Sequence, residues 1–171
     1  MDKAVVEVEV KGVLPTSAGC AVFIGNDEKV FVIYTDQMVG AAITMFLRKV
    51  PKERPQTHDL VASIMDALGA KVERVVVCDF KDGVYYGRLI LTAENEINQK
   101  MIVEIDARPS DCIALAVQQS APILISEHVW AEAEDMTDVL SKVTQEDEPS
   151  GLGDLGDLGD LGEMGEDQPE L

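Results

Sequence analysis

Apolar and polar positions alternate from the start of the chain. Val6, Val8 and Val10 interleave with Glu7, Glu9 and Lys11, the period of a strand with one wet face, and Gly12 with the 15–19 stretch predicts its end. Two apolar runs, 20–25 and 30–34, flank residues 26–29, where Asn26-Asp27 suits a tight hairpin. From Asp36, an N-cap candidate, the period changes: Met38, Val39, Ala42, Ile43, Phe46 and Leu47 recur at helical spacing, and Pro51 closes the run. After a polar linker, Thr57 is placed to cap a second helix, with Leu60, Val61, Ile64 and Leu68 as its buried stripe and Gly69 as its stop.

The second half opens similarly. Apolar runs at 72–80, 84–92 and 100–105 read as strands, the first two joined by Asp82-Gly83. A helix follows over 110–119 with Ile113, Leu115, Ala116 and Val117 inward. Pro122 introduces a short apolar run at 123–125, and a last helix is predicted over 129–142. Sliding the halves by 71 residues sets KVFVIYTD against KMIVEIDA, so each third strand feeds a helix. The expected fold is therefore α+β, from internally duplicated β-β-β-α units with a mixed sheet and packed helices, related halves meeting near residue 71.

Charge divides the chain elsewhere. No Lys or Arg follows Lys142, whereas ten of the 32 acidic residues do, so 1–143 carries 14 basic against 22 acidic residues and the tail supplies the rest of the −18. The tail repeats Gly every third residue beside Leu or Met and an acid, which fits neither a heptad, a β alternation nor collagen. One folded domain over 1–143 and a disordered, dispensable tail over 144–171 are expected. No run reaches 18 apolar residues, and the strand pattern at the amino terminus is unlike a signal peptide, so a cytoplasmic protein with no membrane partner is expected. Cys20, Cys78 and Cys112 lack metal-ligand spacing and read as ordinary thiols, and Trp130 as core or interface filler.

Chemistry concentrates in two places. Around 106–111 an apolar strand ends in Asp106, an Arg-Pro-Ser-Asp turn follows and a helix starts at once, which holds Asp106, Arg108 and Asp111 at an element junction. Around 54–59 lie Arg54, His58 and Asp59. As a hydrolytic site, Asp106 and Asp111 could hold a divalent metal ion, Mg or Mn, with Asp59 a third carboxylate. His58 is the better general base, and Arg54 and Arg108 could grip a phosphate. The same residues serve a structural role equally well: carboxylates that cap turns and helix starts, Arg108 bridging Asp106 to Asp111, and Pro109 at the first helical position.

The strings that surround these residues are specific. Arg54, Thr57, His58, Asp59 and Leu60 with Leu68-Gly69, then Tyr85-Tyr86 before Leu89, and above all Ile105 to Asp111 with Ile113 to Ala116, resemble the bifunctional nuclease domain family over about residues 4–140. The resemblance implies an α+β domain with a duplicated core, an oligomer, and cleavage of DNA and RNA. Net charge argues against simple nucleic-acid binding, since a chain at −18 repels a polyanion and its one basic group, Lys49, Lys52 and Arg54, is modest. Three classes stay open: a nuclease with nucleic acid as its partner, a non-catalytic module for a small ligand or protein, and a structural oligomer-forming domain. A two-fold homodimer is the expected assembly, because a small two-layer domain leaves a sheet edge or helix face to cover.

Overall fold

The computed structural model describes residues 4–94, 97 and 99–146, so the repeat-bearing tail and the expectations placed on it lie outside the described residues. The elements run β1 (Val5–Thr16), β2 (Gly19–Gly25), β3 (Val30–Thr35), α1 (Gln37–Leu47), α2 (Thr57–Ala67), β4 (Ala70–Lys81), β5 (Val84–Glu94), β6 (Lys100–Ala107), α3 (Pro109–Gln119), β7 (Ile123–Ser126), α4 (Glu127–Glu132) and α5 (Thr137–Glu146). All strands join one mixed sheet in the order β3-β2-β1-β7-β4-β5-β6. The class is α+β.

Each half contributes an antiparallel three-strand meander followed by a helix, and beyond that order the halves diverge. α1 leads to α2, whereas α3 leads to β7, α4 and α5. The short run after Pro122 turns out to be the keystone. β7 lies antiparallel to β1 and parallel to β4, so it joins the two meanders through its backbone. Its sequence, four residues buried almost throughout, carried no sign of that position.

Several local expectations shift for identifiable reasons. β1 continues through Gly12, with a register shift between Val10 and Gly12 that marks a bulge rather than an end. α1 stops at Leu47, well before Pro51, because Lys49 takes a left-handed conformation at φ 52°. The last predicted helix is two helices, α4 and α5. In α2 the N-cap is Gln56, not Thr57, and a capping box pairs Gln56 with Asp59. The inward face of α2 holds Val61, Ala62 and Met65, while Leu60, Ile64 and Leu68 are exposed, so the expected stripe is wrong by a rotation of the helix. Helical spacing names a face but not which way it turns; here the capping box and the packing of Met65 on the core decide.

The main core lies between the sheet and α1, α2 and α3, with Val22, Ile24, Phe31, Ile33, Ile43, Val75, Val77, Ile113 and Ile125 at its centre. A second, smaller cluster occupies the other face of the first meander, where Ala21, Phe23 and Val30 pack with Met136 and Leu140 of the α5 segment. The sheet is strongly curled. Phe31 on β3 and Tyr85 on β5 are five strand intervals apart, about 24 Å in a flat sheet, yet their ring centroids are 5.7 Å apart. That curl brings the end of β3 to the end of β6.

Two glycines permit close approaches around the site. A Cβ on Gly87 would stand 2.8 Å from the carbonyl oxygen of Ala107 and 3.0 Å from Pro109, so β5 lies tight against the turn that follows β6. A Cβ on Gly40 would stand 2.4 Å from Cys20 Sγ, so α1 sits directly on β2.

Candidate active site where the two halves meet

The ends of the third strands and the starts of the helices that follow them converge. Asp36 leaves β3 as the N-cap of α1 and accepts a hydrogen bond from the Val39 N–H at 3.0 Å. Arg108 leaves β6 as the N-cap of α3, with Pro109 in the first turn, where a missing N–H costs nothing. The Arg108 guanidinium donates to Asp36 Oδ2 through Nη1 at 3.3 Å, and to Asp111 through Nε at 2.7 Å and Nη2 at 3.3 Å. Asp111, one turn into α3, also meets His58 Nε2 at 3.2 Å, across 53 residues of sequence.

This chain of contacts fixes the imidazole chemically. A carboxylate only accepts, so His58 Nε2 carries the proton, and Nδ1 of a neutral ring keeps its lone pair. The ring is mostly buried, edge-on to Phe46 with centroids 6.4 Å apart. The face of Phe46 in turn receives Lys52 Nζ at 3.9 Å from the ring centroid. Lys52 donates to Asp59 Oδ2 at 2.7 Å, and Asp59 Oδ1 accepts from Gln118 Nε2 at 3.1 Å. Asp36, Arg108, Asp111, His58, Phe46, Lys52, Asp59 and Gln118 thus form one continuous relay.

A cavity opens at each end of it. One, of about 500 Å³, is lined by Phe46, Lys49, Lys52, Arg54, Asp59 and Gln118. The other, of about 550 Å³, is lined by Tyr34, Thr35, Asp36, Tyr85, Arg108 and Ser110. Four of the chain's basic residues, Arg48, Lys49, Lys52 and Arg54, fall within 48–54 with Glu53 the one acid. The first cavity is therefore locally cationic in an acidic protein. The starts of α1, α2 and α3 also meet here, each with the positive end of its dipole, a field that Asp36, Asp59 and Asp111 partly offset.

Protonation follows from these contacts. The backbone N–H of Val39 holds the Asp36 carboxyl below its usual range; burial opposes it, and the charge and hydrogen bond of Arg108 add to the lowering. Burial pushes Asp59 up, but hydrogen bonds from Lys52, the Gln56 N–H and Gln118 outweigh it and leave the carboxyl lowered. The Asp111 carboxylate raises Arg108 further above its ordinary value. Burial pushes the Cys112 thiol up to about 12, so this residue beside Asp111 stays a protonated core group rather than a nucleophile.

The residues singled out in the sequence separate into three sets. His58, Asp111 and Arg108 are in direct contact. Asp59 is spent on the α2 capping box and on Lys52, and Arg54 lines the cationic cavity without reaching the triad through any hydrogen bond described. Asp106 stands apart: it pairs in register with Arg88, with its carboxylate 3.9 Å from Arg88 Nε, on the face opposite Ile105 and the core residue Leu89. Arg108 bridges Asp111 to Asp36, not to Asp106. Asp111 already accepts from Arg108 and His58, and among the described residues no three His, Cys, Asp or Glu side chains gather as metal ligands, so the Asp106–Asp111 pair does not fit a divalent ion in this arrangement. Sequence reasoning missed Asp36 as a partner of Arg108, although its cap position was legible, and missed Gln118, for which no signal existed.

The model of the bifunctional nuclease domain matches residues 22–138, a stretch that contains every member of this relay. An uncharacterized protein of Mycobacterium tuberculosis is 32% identical over 108 residues, covering 63% of this chain and 61% of that protein. Bifunctional nuclease 1 of Oryza sativa subsp. japonica is 26% identical over 83 residues, covering 48% of this chain and 24% of the rice protein. The chain thus spans about three fifths of the mycobacterial relative and a quarter of the plant one. No helix among the described residues is long and apolar enough to cross a membrane. Because the family match covers more than half of the chain and both sides of the junction between the meanders, the chain belongs to the bifunctional nuclease domain family.

Proposed function

We propose that the protein hydrolyses phosphodiester bonds in DNA or RNA at the junction between its halves. The observation that carries this reading is the His58–Asp111 contact at 3.2 Å, an imidazole oriented by a carboxylate between two cavities, one of them cationic. Asp111 holds the ring so that Nε2 keeps its proton and Nδ1 is the base; His58 takes a proton from the attacking water. Arg108 uses three of its N–H directions on Asp36 and Asp111, and the rest of the fork is open to a phosphate oxygen whose charge grows in the transition state. Lys49, Lys52 and Arg54 give the strand a local attraction that the net charge of −18 otherwise denies it, which favours single-stranded ends over long duplexes.

Support for nuclease chemistry comes also from the family and from the name of the rice relative. A metal ion bound with substrate is a separate proposal; with Asp106 and Asp111 as ligands it would require Asp106 to leave Arg88 and turn from the opposite face of β6 as well as Arg108 to release Asp111. A non-catalytic binding module is favoured by one observation, the engagement of Asp111 by Arg108, which occupies the carboxylate that would otherwise be free for chemistry.

Cleavage of single- and double-stranded DNA and RNA, with Mg or Mn and with chelator, tests these readings together. His58→Ala should lower turnover by roughly 10²-fold or more, the scale of general base catalysis, with Asp111→Asn close behind and Asp106→Asn affected only if metal is required. No cleavage of any substrate by the wild-type chain, with or without metal, would reject the nuclease reading, and binding without cleavage would favour the module.

A further inference from the structure

β6 is the outer strand of the sheet, hydrogen-bonded on one side to β5, and no strand among the described residues pairs with its other edge. Met101, Val103 and Ile105 lie in register with Ala93, Leu91 and Leu89, so they extend the row that forms the main core. All three are nevertheless exposed, as is Ile102 on the opposite face at 67%. The strand lacks a proline, a bulge and a central lysine, three of the devices that blunt an edge. The opposite edge shows what protection looks like: the Met136 N–H donates to the Val30 carbonyl at 2.7 Å and the Val30 N–H donates to Thr137 Oγ1 at 3.2 Å.

We propose that β6 pairs antiparallel with β6 of a second copy of this chain, about a two-fold axis through Val103. Residues directly opposite each other in an antiparallel pair share a face, so a symmetric pairing must centre on one residue. Centred on Val103, it runs over residues 100–106. Met101 then faces Ile105 of the partner subunit, Val103 faces Val103 of the partner subunit, and Lys100 faces Asp106 of the partner subunit, the last pair formed twice by symmetry. The neighbouring choices are worse. Centring on Glu104 sets it against Glu104 of the partner subunit, and centring on Ile105 sets Glu104 against Asp106 of the partner subunit; like charges directly opposite destabilise a pair. Centring on Ile102 shortens the ladder to residues 100–104. The chosen register continues the sheet across the axis and covers a stretch of core row that the helices leave open.

The pairing is independent of any catalytic reading, and its test needs no activity. Light scattering of the full chain at micromolar concentration should return twice the 18.6 kDa chain mass. Val103→Lys sets two lysines against each other and should weaken the dimer at least about tenfold, with the circular dichroism spectrum unchanged. Lys100→Asp should weaken it, and the double variant Lys100→Asp with Asp106→Lys should restore it to within about threefold, because the pair is only reversed. In a Cys78→Ser background, which removes the one cysteine that is not buried, Val103→Cys should form an intermolecular disulfide under oxidation, whereas Cys78→Ser alone, with Cys20 and Cys112 buried, should not. A monomeric wild type, a closed trimer or larger species, or a dimer that tolerates Val103→Lys would each overturn the proposal.

Discussion

The two meanders carry the same order of strands, yet they are covered very differently. In the first, β2 is buried along almost its whole length, with Val22 and Ile24 under the main helices and Ala21 and Phe23 under Met136 and Leu140 on the other face. In the second, β6 is exposed at seven of its eight positions. The difference arises after the strands: the chain beyond α3 supplies β7, α4 and α5, and the α5 segment returns to the first meander. Local pattern makes strands in both places; what the rest of the chain does decides which of them becomes core.

The largest test of that contrast removes a side chain from the covered meander. Phe31 is 1% exposed and packs against Tyr85 and Trp130, so Phe31→Ala should cost about 3–5 kcal/mol, read by urea unfolding. A cost below about 1 kcal/mol would mean that the first meander is no better packed than the second.

A medium effect compares the helix starts that end the two meanders. α1 is capped by the Asp36 carboxylate, whereas α3 begins on Arg108 with no side-chain cap and relies on Pro109. Asp36→Ala should therefore cost about 1 kcal/mol at pH 7. Its exposed Arg108 partner adds little. Because the Asp36 carboxyl is lowered in the folded protein, its contribution is complete above the ordinary carboxylate pKa of about 3.9 and is lost as pH falls through the lower folded value. The difference between wild type and variant should accordingly be flat from pH 7 to about 5 and shrink below pH 4; a difference that grew on acidification would contradict the cap.

The smallest effect is expected at the bare strand. Ile102→Thr keeps a β-branched residue at a site 67% exposed and should change stability by less than about 0.5 kcal/mol.

Much of this architecture was legible in the chain. Alternation at Val6, Val8 and Val10, the turn at Asp82-Gly83 with both φ values positive, the Asp36 cap and Pro109 at the head of α3 are local features, set within a few residues by steric and hydrogen-bonding rules. The candidate site was legible as two fragments. Residue types at 54–59 and 106–111 named the participants, but contact between His58 and Asp111 depends on the curl of the sheet, and the removal of Asp106 to the other face depends on strand parity carried one residue beyond the expected end of β6.

The amino-acid sequence by itself determined where strands, helices and turns form, because those choices are made by backbone sterics, side-chain period and caps over short spans. It also determined which residues could do chemistry. Only the tertiary structure decided that β7 joins the two meanders, that Leu60, Ile64 and Leu68 of α2 turn outward, and that Asp111 rather than Asp106 meets His58. Those outcomes are long-range: each depends on which apolar surface wins burial against which other. An apolar residue carries the tendency to be buried but no address for its partner.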